Sequence, residues 1–320
     1  MEKNIKPRIG VSSCLLGQVV RYNGGHLKDL FLVNTLGDHF EWVPVCPEAE
    51  SGMGVPREPV RLVEEKGKVR MQGVKSRYDH TPMMNKWMQK RIEELIESNL
   101  DGYIFAKDSP SCGLFRVKIY DIDDQLIKRN GRGVFAGAVA RRFNSLPVEE
   151  NGRLNDPRIR ENFIERVFVY KRWLELLIAG RSPKNLVDFH SKIKLTLMSH
   201  SVLHYREAGR IIARAGINDW ELITKEYETV LISAMQRLAT PKKHANALQH
   251  AMGMLKKDLS SGDKAELLDT IDQYRVGQLP LIVPITLLRH HINKIGAPKW
   301  LIDQTYLDPY PSEMMLRNHV

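Results

Sequence analysis

Three cysteines, at positions 14, 46 and 112, are the side chains of this sequence with the most chemistry to offer. Each follows a run of β-type residues: 8–12 before Cys14, 41–45 before Cys46, and 102–106 before the loop KDSPSCG that carries Cys112. If those runs are parallel neighbours, the thiols meet at the carboxyl edge of one sheet, where open α/β sheets bind ligands. A disulfide would use two of the three, and an odd, sparse count argues against a disulfide-stapled secreted protein. Structural zinc takes four protein ligands, and the chain has no CxxC pair. A cubane iron–sulfur cluster normally takes four cysteines, so three would leave one iron open as a Lewis acid for a soft substrate sulfur. The competing reading is three buried small hydrophobes, since free cysteine is among the most buried residue types. Spacing alone leaves both open.

The elements that would position these thiols read as alternating strands and helices. A further strand is expected at 69–72 and a helix at 83–98, where Met84, Trp87, Met88, Arg91, Ile92, Leu95 and Ile96 recur at helical spacing. A hairpin over 114–128 and a helix over 136–143 complete the pattern. This is an α/β N-terminal domain with a mostly parallel sheet and helices on both faces. The segment SLPVEENGRLNDP at 145–157 is polar and rich in turn residues, which divides the chain into a domain at 1–148, a linker at 149–157 and a second domain at 158–320. The second domain is expected to be all-α, with helices at 158–179, 183–200, 201–215, 218–238, 240–259, 263–277 and 284–295. Asn218 with Glu221 forms the capping-box pattern of the fourth. Leu281, Val283, Ile285, Leu287 and Leu288 are expected in the core.

The chain has 320 residues, 42% of them apolar and 27% charged, which excludes a disordered or collagen-like protein. Its start, MEKNIKPRIGVSSC, lacks a signal-peptide apolar stretch, and the greasiest segment, 279–288, is too short to span a bilayer. The expectation is a cytoplasmic protein with no membrane partner. Neither GxxxxGK[ST] nor GxGxxG occurs, so no nucleotide cofactor is expected. The formal charge is +10, and residues 151–320 carry 25 basic against 18 acidic side chains. A basic helical half suggests a polyanion such as RNA. Arg206, Arg210 and Arg214 recur every four residues, Lys192 and Lys194 precede them, and Lys242 and Lys243 crowd a helix start where cations are unfavourable unless an anion is near. An ordinary solvated face is the alternative. His190, His200 and His204 have no acidic or cysteine partner at ligand spacing, which favours contacts to RNA or core carbonyls over zinc.

SSCLLG at 12–17, VRYNGG at 20–25, CPE at 46–48, GMGVPREPVRL at 52–62 and SPSCG at 109–113 resemble the thiouracil desulfurase (TudS-type) family. FHSKIKLTLMSH at 189–200, YREAGR at 205–210, TPKKHANALQHAMGMLKK at 240–257 and RVGQLPLIVPITLLRHH at 275–291 resemble the helical domain often fused to it. The combination is similar to bacterial desulfidases that remove 4-thiouridine from tRNA. The resemblance implies a [4Fe-4S] cluster held by Cys14, Cys46 and Cys112 with one open iron, and marks Glu48 and Ser109 as active-site residues. Glu48 then suits general acid–base work, and Ser109 a hydrogen bond to the substrate ring or to water. The activity implied is hydrolytic, with hydrosulfide released and tRNA held by the helical domain. The alternatives are a desulfidase of free thiouracil and a non-catalytic iron–sulfur RNA-binding sensor.

Overall fold

A computed structural model describes residues 6–180, 182–216 and 219–320. The chain divides into two compact units, 1–155 and 156–320. The first is built on a four-stranded sheet in the order β2-β1-β5-β8, where β1 is Arg8–Ser12, β2 Glu41–Val45, β5 Gly102–Phe105 and β8 Val148–Glu150. All three pairings are parallel, with Gly10 opposite both Val43 and Tyr103. β1 is buried from Ile9 onward and β5 along its whole length, as strands covered on both faces are. The rings of Tyr103 and Phe105 stack with centroids 4.1 Å apart, and Phe135 closes on both from α2, Val134–Arg142. Gly10 lies over Tyr103 so closely that a Cβ there would enter the ring.

The unit has a second sheet that the sequence reading did not separate. Its order is β4-β3-β6-β7, with β3 at Val60–Glu65, β4 at Lys68–Gly73, β6 at Val117–Tyr120 and β7 at Leu126–Gly131. The expected strand at 69–72 belongs here, antiparallel to β3, not in the parallel sheet. Lys66 and Gly67 both have positive φ, which gives the two-residue turn whose twist suits a hairpin. The first long helix, α1, is Thr81–Glu97. The stretch expected as a linker also differs: β8 pairs with β5 inside it, and Glu149, Glu150 and Asn151 are buried. Glu150 is held there because its Oε1 accepts the backbone N–H groups of Leu114 and Phe115.

The second unit is helical: α3 Pro157–Ala179, α4 Pro183–His200, α5 Val202–Ile212, α6 Trp220–Met235, α7 Pro241–Met254, α8 Ser261–Arg275, α9 Ile282–Ile295 and α10 Lys299–Ile302. Asp156, Ser201, Asp219 and Ser260 accept first-turn N–H groups of α3, α5, α6 and α8, the usual role of short polar N-cap side chains. Asn218 lies outside the described residues. Helix α5 stops at Ile212, so Arg214 sits beyond it and does not extend a helical stripe with Arg206 and Arg210. Leu281, Ile285 and Leu288 are core, whereas Val283 is 36% exposed. No described helix is long and apolar enough to cross a membrane.

A buried charge network ties this unit together. Arg317 donates through Nε to Glu161 (3.2 Å) and through Nη2 to Glu165 (3.3 Å). The His200 ring faces an acceptor at each nitrogen, the Arg237 carbonyl at 2.6 Å and Glu165 Oε2 at 2.8 Å, so both nitrogens carry hydrogen and the ring is an imidazolium. Burial opposes that charge, but the hydrogen bond and charge of Glu165 overcome it and raise the His200 pKa. Burial likewise opposes ionisation of Glu165, and His200 and Arg317 reverse it, placing its carboxyl below the usual range. Glu161 moves the other way, raised by burial and by the charge of Glu165. The Glu165 contribution is lost as pH falls below about 4.5; those of His200 and Glu161 are lost as pH rises through their raised values. Thermal unfolding of the helical unit, followed by circular dichroism from pH 3 to 9, is therefore expected to give its highest midpoint at mildly acidic pH. Glu165→Gln should cost roughly 3–5 kcal/mol, because it leaves buried cations without their partner; a loss under 1 kcal/mol in urea titrations would contradict the network.

Candidate active site

The carboxyl ends of β1, β2 and β5 face one cavity of about 290 Å³. Cys14, Cys46 and Cys112 all line it, together with Glu48 and Ser109, so every catalytic and ligand position named from the sequence reaches the same space. Parallel pairing is the cause: aligned strands deliver their following residues to one edge, whatever the length of chain between them. Cys14 lies in the turn that follows β1 and Cys46 immediately follows β2. Cys112 sits in a loop shaped by Ser109, whose Oγ accepts the backbone N–H groups of Ser111 (3.2 Å) and Cys112 (3.0 Å). The N–H groups of Phe135 and Ala136, in the first turn of α2, reach the Ser111 carbonyl at 3.1 Å. The positive end of that helix dipole thus adjoins the Cys112 loop and favours negative charge there.

All three thiols are free. Burial pushes the Cys14 pKa up to about 11, with Arg21 pulling the other way, and raises those of Cys46 and Cys112. The charges of Cys14 and Cys46 add to the shift of Cys112, and that of Cys46 to the shift of Cys14, so the three groups act on one another. Such desolvated thiols become thiolates only opposite a compensating positive charge. Their sulfur atoms are not all within 4.8 Å of one another, a spread too wide for one shared ion. A polynuclear cluster binds each cysteine through a different metal atom, so it does not need all its thiols within reach of one ion.

Glu48 is held at both carboxylate oxygens. Oε2 accepts Nε (2.9 Å) and Nη2 (2.6 Å) of Arg57, and Oε1 accepts the Ser111 hydroxyl at 2.6 Å. Ser109 Oγ stands 3.5 Å from Oε1 and 3.0 Å from Ser111 Oγ. Arg57 and Ser111 were not singled out from the sequence. Arg57 lies inside the GMGVPREPVRL motif and Ser111 inside SPSCG, but only folding shows that both converge on Glu48.

The basic positions expected to grip RNA have mixed surroundings. Lys192, Arg206, Arg210 and Lys242 are exposed. Lys194 lies over the Trp300 ring at 3.4 Å, and burial lowers its pKa. Lys243 donates to the Leu238 carbonyl (2.8 Å), and Arg214 pairs with Glu226 (2.8 Å). His190 bonds the Tyr227 hydroxyl, His200 belongs to the charge network and His204 bonds Ser201. None of the three belongs to the group of described side chains compact enough for a single ion, Asp263, Glu266 and His291.

Two family models match separate stretches of the chain. Residues 9–151 match a family model described as 2-thiouracil desulfurase, and residues 194–311 match one described as a protein of unknown function, DUF1722. YbbK of Bacillus subtilis (strain 168) is 32% identical over 151 residues, covering 46% of this chain and 97% of YbbK. YbgA of Escherichia coli (strain K12) is 27% identical over 168 residues, covering 52% of this chain and 98% of YbgA. A solved structure of TudS, a [4Fe-4S]-dependent thiouracil desulfidase, is 26% identical and covers 47% of this chain and 94% of its own, with a TM-score of 0.37.

The Arg57 and Glu48 side chains are 5% and 12% exposed, so their pair is nearly dry. Arg57→Met should destabilise the first unit by about 3 kcal/mol or more, since it strands a buried carboxylate. Urea unfolding followed by tryptophan fluorescence measures this, and an unchanged midpoint would show that Glu48 does not depend on Arg57.

Proposed function

We infer that this chain, which belongs to the 2-thiouracil desulfurase family through residues 9–151, is an iron–sulfur desulfidase that converts 4-thiouridine in tRNA to uridine. The observation that carries the reading is the convergence of three thiols and a paired glutamate on one cavity. Cys14, Cys46 and Cys112 would hold a [4Fe-4S] cluster, which when bound supplies an open iron as a Lewis acid for the thiocarbonyl sulfur. The net change is hydrolytic: water oxygen replaces sulfur on the ring carbon, sulfur departs as hydrosulfide, and no electrons are transferred.

The chain's own groups divide the remaining work. Arg57 occupies Glu48 Oε2 and fixes the plane of the carboxylate. Glu48 Oε1, which accepts the Ser111 hydroxyl at 2.6 Å, is the oxygen left to take a proton from water and to return one to the departing sulfur. Ser109 Oγ already accepts two backbone N–H groups, so its own hydrogen is available to orient a ring atom or the water. The basic helical unit, with Lys192, Arg206, Arg210 and Lys242 exposed, supports the choice of tRNA over free thiouracil.

The test is anaerobic reconstitution with iron and sulfide, then incubation with tRNA containing 4-thiouridine and, separately, with free 4-thiouracil. Uridine and hydrosulfide are expected from the tRNA, and product from the free base alone would reassign the substrate. Glu48→Gln should lower kcat about 10²–10⁴-fold with the iron content unchanged, whereas Cys112→Ser should lose iron. Iron bound with no product from either substrate would favour the sensor and reject the enzyme.

A further inference from the structure

Beside the thiol cavity lies a second recess, of about 650 Å³, entirely within the first unit. Five cations line it, Lys107, Arg116, Arg129, Arg132 and Arg153. We propose that this cleft binds the phosphodiester backbone of a polynucleotide whose thiolated base enters the cavity, an inference that rests on the desulfidase reading above.

Continuity is the first argument. Lys107 and Asp108 line both the cavity and the cleft, so the two recesses share a wall. Charge is the second. Against five cations the cleft sets two carboxylates, Asp108 and Glu150, and Glu150 is already occupied by two backbone N–H groups. Arg153 pairs with Glu149 at 2.7 Å and lies over the Phe115 ring, and Arg132 Nε donates to the Leu114 carbonyl. Lys107, Arg116 and Arg129 are exposed and have no ion-pair partner among the described residues. Three uncompensated cations gathered at one recess repel one another unless an anion joins them, and guanidinium groups suit phosphate oxygens in pairs. The groove formed by α5 and α6 is weaker in the same terms. Arg210, Arg214 and Lys225 there face Glu207 and Glu226, and Arg214 is already taken.

Backbone geometry is the third argument. Asp108 and Arg116 both have left-handed φ, +60° and +56°, a conformation that aspartate tolerates and arginine seldom adopts, and these turns shape the cleft wall. Gly152 leaves room for Lys107, since a Cβ there would lie 2.5 Å from the lysine Cδ. The basic residues of the helical half offer one grip on nucleic acid; the cleft adds a grip next to the chemistry. A base tethered to a backbone held here reaches the cavity only if it is turned out of its stack.

The experiment uses the full chain and an unmodified tRNA transcript, with binding followed by fluorescence anisotropy at several salt concentrations. Arg116→Gln/Arg129→Gln should weaken Kd about tenfold or more and lower the slope of log Kd against log salt by about 1.5, as expected for two lost phosphate contacts. Lys86→Gln/Lys90→Gln on α1, with the same loss of charge, should change neither. With reconstituted protein, the arginine variant should lose kcat/KM on thiolated tRNA and keep it on free 4-thiouracil. Unchanged Kd and slope, or an equal loss in the lysine variant, would overturn the proposal. So would 4-thiouridine 5′-monophosphate suffering the same loss as tRNA, which would assign the cleft to a single phosphate. Wild-type protein that binds tRNA through the cleft but releases no hydrosulfide would instead refute the desulfidase reading and leave the cleft standing.

Discussion

Parallel pairing of β1 with β2 and β5 is the constraint on which the rest of the first unit depends. It brings together thiols separated by 32 and 66 residues, because aligned strands end on the same edge. The pairing itself rests on burial. β1 and β5 are buried almost throughout, and Gly10 allows the Tyr103 ring to lie against the backbone of β1. Polar groups at the edge are then held from outside the sheet: Ser109 turns the Cys112 loop, Arg57 fixes Glu48, and the start of α2 caps the Ser111 carbonyl.

What the sequence made legible follows from local physics. Strands 8–12 and 41–45 have the observed bounds because β-type runs end at turn residues, and the long helices emerge from apolar periodicity with Pro or Ser at their starts. β3 escaped because Val60–Glu65 runs into Glu64, Glu65, Lys66 and Gly67, which reads as a charged loop until hairpin pairing is considered. β8 escaped for a related reason. Its two glutamates look solvated, and their burial is explained by partners that the pattern does not reveal, the distant N–H groups of residues 114 and 115 for Glu150 and the nearby side chain of Arg153 for Glu149. Glu48 was legible through its motif, but its partners Arg57 and Ser111 are fixed by contacts across 9 and 63 residues. Basic residues on the helices were the least legible, since spacing cannot show that Lys194 packs on Trp300 or that Arg214 lies past the end of α5.

The two units solve different problems with charge. The first leaves cations unpaired at its surface and neutralises Glu48 inside. The second buries two carboxylates against Arg317 and an imidazolium, an arrangement that tolerates neither partner alone. Exposed cations retain their charge for outside partners, and the buried set spends it on holding α3, α4 and the last residues in place.

The division at residue 155 has a consequence for how the protein is made. Every residue lining the thiol cavity lies between 12 and 112, and the strand that finishes the parallel sheet ends at Glu150. At ribosomal speeds of roughly 5–20 residues per second, synthesis of the 165 residues of the second unit takes on the order of 10–30 s. The nascent chain can therefore complete its sulfur-lined chamber while the helices of the second unit are still being translated, so the cavity does not wait for the second half.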